Sequence, residues 1–409
     1  MEKSNHATVE DTVGVPRAFP MRRSGCPFDV PGEYEALRAV EPVSRAVLRD
    51  GSTVWLVARH ADVQAGLVDG RISCDGSTPG IPMPGGSGVD PVGRRSSFVR
   101  MDPPEHDVYR KLLAQDFTMR KARALRPWIQ EVVDRALDDL ADSGQPADLV
   151  QLLAMPVPST VVCHVLGVPN SDHEFFQSRA AVMLNRGSSR EDLRNAVVEL
   201  RTYMVGLLKD KRDNPGDDVL TKLANAPAEL GLDDNDLAGA AQSVLNASHE
   251  ATVNMIALGT LVLTENPHAL AELKADPGLW PGAVDELLRY LGIGDLLSPR
   301  IAKQDLEIAG QRIAAGEGLY FLTGSANRDK EVYDDPAAFD IHRPNRGHLA
   351  FGYGLHQCLG QNLARVELEV VFESLFRRFP DLRSAVPVDE LSYKHDSALF
   401  GVHELPVVW

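Results

Sequence analysis

The segment DNDLAGAAQSVLNASHEATVNMIALGTLVLTENP carries no proline before its last residue. At 1.5 Å per residue its roughly thirty residues make a helix about 45 Å long, as long as a whole domain is wide. Such a helix has to pass through the middle of the fold, and the rest of the chain has to be built around it. It is apolar around most of its circumference; Asn246, Ser248, His249, Glu250 and Thr252 bring polar groups to its centre. Buried charge is costly unless it is paired or used, so the middle of this helix is a candidate site. The His-Glu pair is not the start of a zinc-protease motif, because Val253 stands where the second histidine would be.

The remainder reads as a mainly α chain with a small β-rich region. ALRPWIQEVVDRALDDLAD, SREDLRNAVVELRTYMVGLLKD and LARVELEVVFESLFRRF repeat apolar residues at three- and four-residue intervals. Strand signals come in pairs, in VSRAVLRDGSTVWLVAR and in LEIAGQRIAAGEGLYFL, where Gly310 between two short apolar runs predicts a hairpin. DGSTPGIPMPGGSGVDPVGRRSS is too rich in Gly and Pro for regular structure, and a loop of that length reads as a lid over a substrate. Residues 1–25 read as a flexible extension and 26–409 as a single catalytic domain.

Composition narrows the function. With 44% hydrophobic and 24% charged residues the chain has the balance of a soluble globular protein. No run of eighteen apolar residues and no secretory leader is present, so a cytoplasmic protein without a membrane segment is expected. A net charge of −16 in 409 residues argues against general nucleic-acid binding. One basic stretch stands out, RKLLAQDFTMRKARALR, with Arg110, Lys111, Arg120, Lys121, Arg123 and Arg126. It is either a solvated helix face or a docking patch for an acidic partner.

Four cysteines are scattered without CxxC or Cys/His spacing, so neither a disulfide framework nor a zinc site is indicated. Cys358 is set apart by its surroundings, FGYGLHQCLGQNLAR. Glycines let the backbone approach a flat ligand, and N–H groups and a helix N-terminus near the sulfur favour thiolate. A thiolate with no second protein ligand at metal spacing suits a metal that brings its other ligands with it, as a haem does. A buried structural cysteine is the alternative for Cys358 taken alone.

FGYGLHQCLG resembles the haem-thiolate loop of the cytochrome P450 family, FxxGxHxCxG, with Phe351, Gly354, His356, Cys358 and Gly360 in place and Gly352 between them. The family's ExxR motif is met by Glu286 and Arg289 in AVDELLRY, and Arg343 in FDIHRPNR corresponds to the arginine completing that ion network. MDPPEHDVYR is similar to the family's haem-contacting helix. His106 and Arg110 there, with Arg300 and His356, match the donors to the haem propionates. The resemblance runs from about Arg38 to the end. It implies a triangular helical prism crossed by the long helix, haem b as cofactor, and Cys358 as the iron ligand.

The resemblance also implies dioxygen chemistry opposite Cys358, with protons delivered by an acid and an alcohol in the pattern A-G-x-[DE]-T. Here the segment is Ala247, Ser248, His249, Glu250, Ala251. Glu250 supplies the acid, but Ala251 replaces the alcohol. Thr252 follows about 100° further round the helix and is expected to face elsewhere. Ser248 in place of glycine can bond back to a carbonyl and open the helix. The residues expected around a substrate are Met83, Val89, Met183, Leu184, Leu245, Ala251, Leu296, Leu297, Leu399 and Phe400, mostly apolar. The expected activity is hydroxylation or oxidative coupling of a bulky, mostly apolar natural product. Electrons come from a ferredoxin and its reductase, since the chain has no flavin or iron–sulfur segment; a monomer is expected. Two alternatives stand beside it. VNMIALG, SANRDKEVYDDPAAF and HELPVVW resemble the branch that includes fungal nitric-oxide reductase, and a haem-binding sensor is the non-enzyme reading.

Overall fold

The computed structural model describes residues 16–23, 25–82, 97–184, 188–344, 347–395 and 397–409, except for the side chains at 170, 173, 177, 180, 181 and 184. The long segment forms one unbroken helix, Asp234–Glu265. Asp233 caps it, accepting from the N–H groups of Asn235 and Asp236, while the Asp236 side chain accepts from the Asp233 N–H. Helices Pro156–Leu166, Arg190–Asp213, Trp280–Leu291 and Gln361–Arg378 pack around it. Gly259 allows the closest of these approaches, since a Cβ there would lie 2.5 Å from the Phe372 ring. That contact fixes the central helix against Gln361–Arg378, the helix that follows Cys358.

The main sheet has six strands, and its order is far from sequence order. The early hairpin, Val43–Val47 with Thr53–Val57, is antiparallel in register Val43 to Val57, and Thr53–Val57 runs parallel to Gly318–Phe321. Pro299–Ala302 lies antiparallel on the other side of Gly318–Phe321, placing Arg300 opposite Leu319. The hairpin expected at Gly310 is Leu306–Ile308 with Gln311–Ile313, turned by Ala309 and Gly310, both at positive φ.

The N-terminal reading needs correction. Residues 17–23 are docked and do not belong to a flexible extension: Arg17–Ala18 adds a parallel strand to the sheet beside Val43–Val47. Phe19 is 2% exposed, and the Arg23 guanidinium donates to the carbonyls of Leu291 and Gly292. A two-residue strand between prolines has no periodicity to betray it. Residues 83–96, which hold most of the expected lid, lie outside the described residues, as do Met83, Val89, Arg94 and Arg95.

Candidate active site

The cysteine loop is closed by a backbone hydrogen bond from the Cys358 N–H to the Phe351 carbonyl, 2.8 Å. Gly352 and Gly354 both take positive φ, and a Cβ on Gly354 would come within 2.6 Å of Val68 Cγ1. Glycine is therefore required at Gly354 by conformation and by contact alike. A single 3₁₀ turn, Gly354–His356, precedes Cys358, and the helix Gln361–Arg378 starts behind it with Gly360 as its N-cap. The backbone N–H groups of Gly360 and Gln361 donate to the sulfur.

Cys358 is exposed, yet burial is the largest influence on its thiol and pushes its pKa up. The Gly360 and Gln361 N–H groups and the Arg110 and Arg365 guanidiniums pull the other way, toward thiolate. Arg365 is itself held by Asp285 at 2.7 Å and lies 4.6 Å from the centre of the Phe351 ring. Asp285 also meets His348 at 3.3 Å.

Beside the loop lies a cationic edge. The His106 and His356 rings stand 4.3 Å apart. Arg300 is buried, and among the described residues its only hydrogen bond goes to the Pro299 carbonyl, with no carboxylate partner. Burial, then His106 and Arg300, hold the His356 pKa down to about 3. Burial and then Arg300 lower the Arg100 pKa, whereas Arg300 itself is lowered by burial and raised in part by Cys74 and Asp102; Arg110 is also lowered by burial. Buried like charges repel, and carboxylates placed among them would relieve this. The nearby Asp102 is already engaged, by the Cys74 N–H and by Lys303. Cys74, Asp102 and His356 bring ligand atoms within 4.8 Å of one another, a cluster that sequence spacing did not reveal. Arg300 beside Cys74 and His356 disfavours a free cation there. The edge suits the two propionates of a haem, and the sulfur, held toward thiolate by backbone N–H groups and two guanidiniums, suits its iron.

On the central helix, Ala247 is exposed although most of its neighbours are buried, while Ser248, Glu250 and Ala251 are half-buried. The Thr252 hydroxyl donates to the Ser248 carbonyl at 3.1 Å and is buried, so it is turned into its own helix. The helix does not open at Ser248: the residue that bonds back to a carbonyl is Thr252, and the α-helix continues through both. Both ring nitrogens of His249 are buried with no hydrogen-bond partner among the described residues, and burial lowers its pKa. Glu250 is not isolated. Lys394 donates to its Oε1 at 2.6 Å and Asn254 Nδ2 to the same oxygen at 3.3 Å.

Glu286 and Arg289 are paired as the ExxR spacing implies, and Arg343 Nε reaches Glu286 Oε1 at 3.2 Å. The expected substrate residues are only partly brought together. Met183 lies against Asn246 of the central helix, its sulfur 3.8 Å from Asn246 Nδ2. Leu245 is buried on the same helix, Leu297 is 47% exposed, and Leu399 is buried beside Gly294. The Leu184 side chain lies outside the described residues. Leu296 and Phe400 are both engaged in packing: Leu296 joins the cluster of Phe19, Tyr34 and Tyr320, and Phe400 stacks on Tyr393 with the Arg23 guanidinium 4.1 Å from its centre.

The basic stretch also shrinks. Arg110 acts on Cys358, Arg126 is taken by Glu369 and Glu373 at 2.9 Å each, and Lys121 by Asp116 at 3.4 Å. Lys111, Arg120 and Arg123 remain exposed. Arg100, Cys74 and Lys394 were missed by sequence reasoning. Arg100 immediately precedes the MDPPEH motif, which is the only signal that could have pointed to it.

Among the described residues, no helix is long and apolar enough to cross a membrane. A profile of the Cytochrome P450 family matches residues 279–394. The chain is 46% identical to cytochrome P450-SU2 of Streptomyces griseolus over the whole of both proteins. It is 45% identical to pentalenic acid synthase of Streptomyces avermitilis, covering 97% of this chain and 98% of that protein. It superposes with a TM-score of 0.89 on the mycinamicin VIII C21 methyl hydroxylase of Micromonospora griseorubida bound to mycinamicin VIII, at 39% identity over 96% of this chain and 100% of the other. With matches of this extent and identity to bacterial relatives, the chain belongs to the cytochrome P450 family.

Proposed function

We propose that this cytochrome P450 is a monooxygenase that binds haem b through Cys358 and oxidises a bulky, mostly apolar natural product, using dioxygen and electrons from an acidic ferredoxin. The observation that carries this reading is the Cys358 sulfur, which takes two backbone N–H groups at the head of a helix and has a histidine and arginine edge beside it. When bound, haem supplies the iron at which dioxygen is activated.

The chain's own residues do the rest. Cys358 would bind the iron, and Gly352, Gly354 and Gly360 let the loop approach the ring plane beside Phe351. His106, Arg110, Arg300 and His356, with Arg100 added from the structure, would hold the propionates. Ala247 presents the smallest side chain of its helix turn to the open face. Glu250 would carry protons. With Ala251 lacking a hydroxyl and Thr252 donating its own within the helix, the last step from Glu250 would run through an ordered water or a substrate hydroxyl.

Met183, Leu245, Leu297 and Leu399 would meet the substrate together with lid residues such as Met83 and Val89. Two similar proteins support the substrate class: one is named for making pentalenic acid, and the other is a hydroxylase bound to mycinamicin VIII. The electron donor would dock at the exposed Lys111, Arg120 and Arg123.

The test is a screen of terpenoid and macrolide compounds for displacement of the iron's water ligand, read in the Soret band, followed by turnover with a ferredoxin and its reductase. Oxygenated product from a displacing compound is the expected result. Binding without turnover would support the sensor reading, and efficient turnover of nitric oxide with NADH alone would support the reductase reading.

A further inference from the structure

Glu250, Asn254 and Lys394 form a closed ring of hydrogen bonds. Lys394 Nζ donates to Glu250 Oε1 at 2.6 Å and to Asn254 Oδ1 at 3.1 Å, and Asn254 Nδ2 donates to Glu250 Oε1 at 3.3 Å. Glu250 and Asn254 are one turn apart on the central helix. Lys394 comes from a C-terminal strap, the hairpin closed by the Tyr393–Val402 bridge and by the Lys394 N–H donating to the Gly401 carbonyl at 2.8 Å. The strap is shaped for this contact: a Cβ on Gly401 would lie 2.0 Å from Asn254 Oδ1. The same strap carries Leu399.

The Glu250 and Lys394 side chains are only 13% and 14% exposed. An ion pair this sheltered is costly to desolvate and is a poor way to gain stability. Its geometry is informative in a different way, because all three hydrogen bonds in the ring leave Glu250 Oε2 out: both donors to the carboxylate converge on Oε1.

We propose that Lys394 is the positioning residue for the distal acid. Together with Asn254 it anchors Oε1, which fixes the carboxylate's orientation and reserves Oε2 as the oxygen that takes up and releases the proton. With no alcohol at Ala251 to correct a misplaced acid, the orientation of this one carboxylate sets proton delivery. The strap thereby ties that orientation to the Leu399 side of the substrate space. The inference rests on the haem-thiolate reading above.

The experiment uses carbon monoxide as the probe. The infrared C–O stretch of the ferrous carbonyl complex responds to the electrostatic field on the distal side, and it requires neither a known substrate nor turnover. Lys394→Met should shift the stretch, Glu250→Gln should shift it too, and the double variant should move no further than the larger single change, since the two residues act as a unit. Lys394→Arg should restore the wild-type position. Should Lys394→Met fail to fold, Gly401→Ala, which must displace Asn254, should shift the stretch in the same direction. A wild-type stretch in folded Lys394→Met or Gly401→Ala, or additive shifts in the double variant, would overturn the proposal. Loss of the thiolate-type Soret band in wild-type protein would instead defeat the underlying haem-thiolate reading.

Discussion

Arg289 donates through Nε and Nη2 to the two carboxylate oxygens of Glu286, both at 2.7 Å, and neither side chain reaches solvent. The remaining donors of the guanidinium are spent on the carbonyls of Asn327, Pro336 and Ala338, so one residue ties helix Trp280–Leu291 to the segment leading toward the cysteine loop. Arg289→Leu strips the buried Glu286 of its two-pronged partner and leaves it only Arg343 at 3.2 Å and the Asp340 N–H, which should cost about 3 kcal/mol. Thermal unfolding and haem content should both fall sharply. Arg289→Lys keeps the charge without the fork and should rescue little of the loss.

Glu367 supplies a pH test. It is 3% exposed, its Oε1 has no hydrogen-bond partner among the described residues, and burial pushes its pKa up to about 8. The folded state keeps this carboxyl protonated where the unfolded chain ionises it near 4.5. Between those values the folded state binds more protons through this group, so the contribution of Glu367 to stability is greatest below about 4.5 and declines as pH rises toward 8. Glu367→Gln should abolish that slope. Its melting temperature should exceed that of wild type at pH 8 and converge with it near pH 4.5.

The central helix makes opposite predictions for neighbouring residues. Because the Thr252 hydroxyl is bound to the Ser248 carbonyl, Thr252→Ala should change product formed per NADH by less than about twofold, whereas Glu250→Gln should lower turnover at least about tenfold. Ala251→Thr should raise the product yield with poorly fitting compounds. Stopped-flow reduction and peroxide assays check all three. Uncoupling by Thr252→Ala as severe as that of Glu250→Gln would mean that Thr252 is the working alcohol.

Electron delivery tests the reduced basic patch. Arg120→Glu with Arg123→Glu should slow reduction by ferredoxin roughly tenfold and flatten its salt dependence. Arg126→Glu should destabilise the fold instead, because Arg126 already holds Glu369 and Glu373.

What the sequence made legible was local or motif-bound. The central helix followed from a proline-free run, the Gly310 hairpin from one glycine between apolar segments, and the Cys358 loop from glycines whose positive φ the fold uses. What escaped was non-local. Lys394 pairs with a residue 144 positions away, and nothing in HELPVVW or its neighbourhood announces a partner. Arg100 meets Arg300 only because Pro299–Ala302 is paired into a sheet whose strands come from both ends of the chain. The packing of Leu296 and Phe400 escaped as well, because apolar side chains near Arg300 and the C-terminus carry no mark of which side they bury.

The central claim is that Cys358 is the thiolate ligand of a haem. The direct measurement is the absorption spectrum of the purified protein reduced with dithionite under carbon monoxide. Wild-type protein should give the red-shifted Soret band of a thiolate-bound haem, and Cys358→His should lose that band while the fold, followed by circular dichroism, persists. A red-shifted band that survives in Cys358→His, or its absence from haem-loaded wild-type protein, would contradict the account.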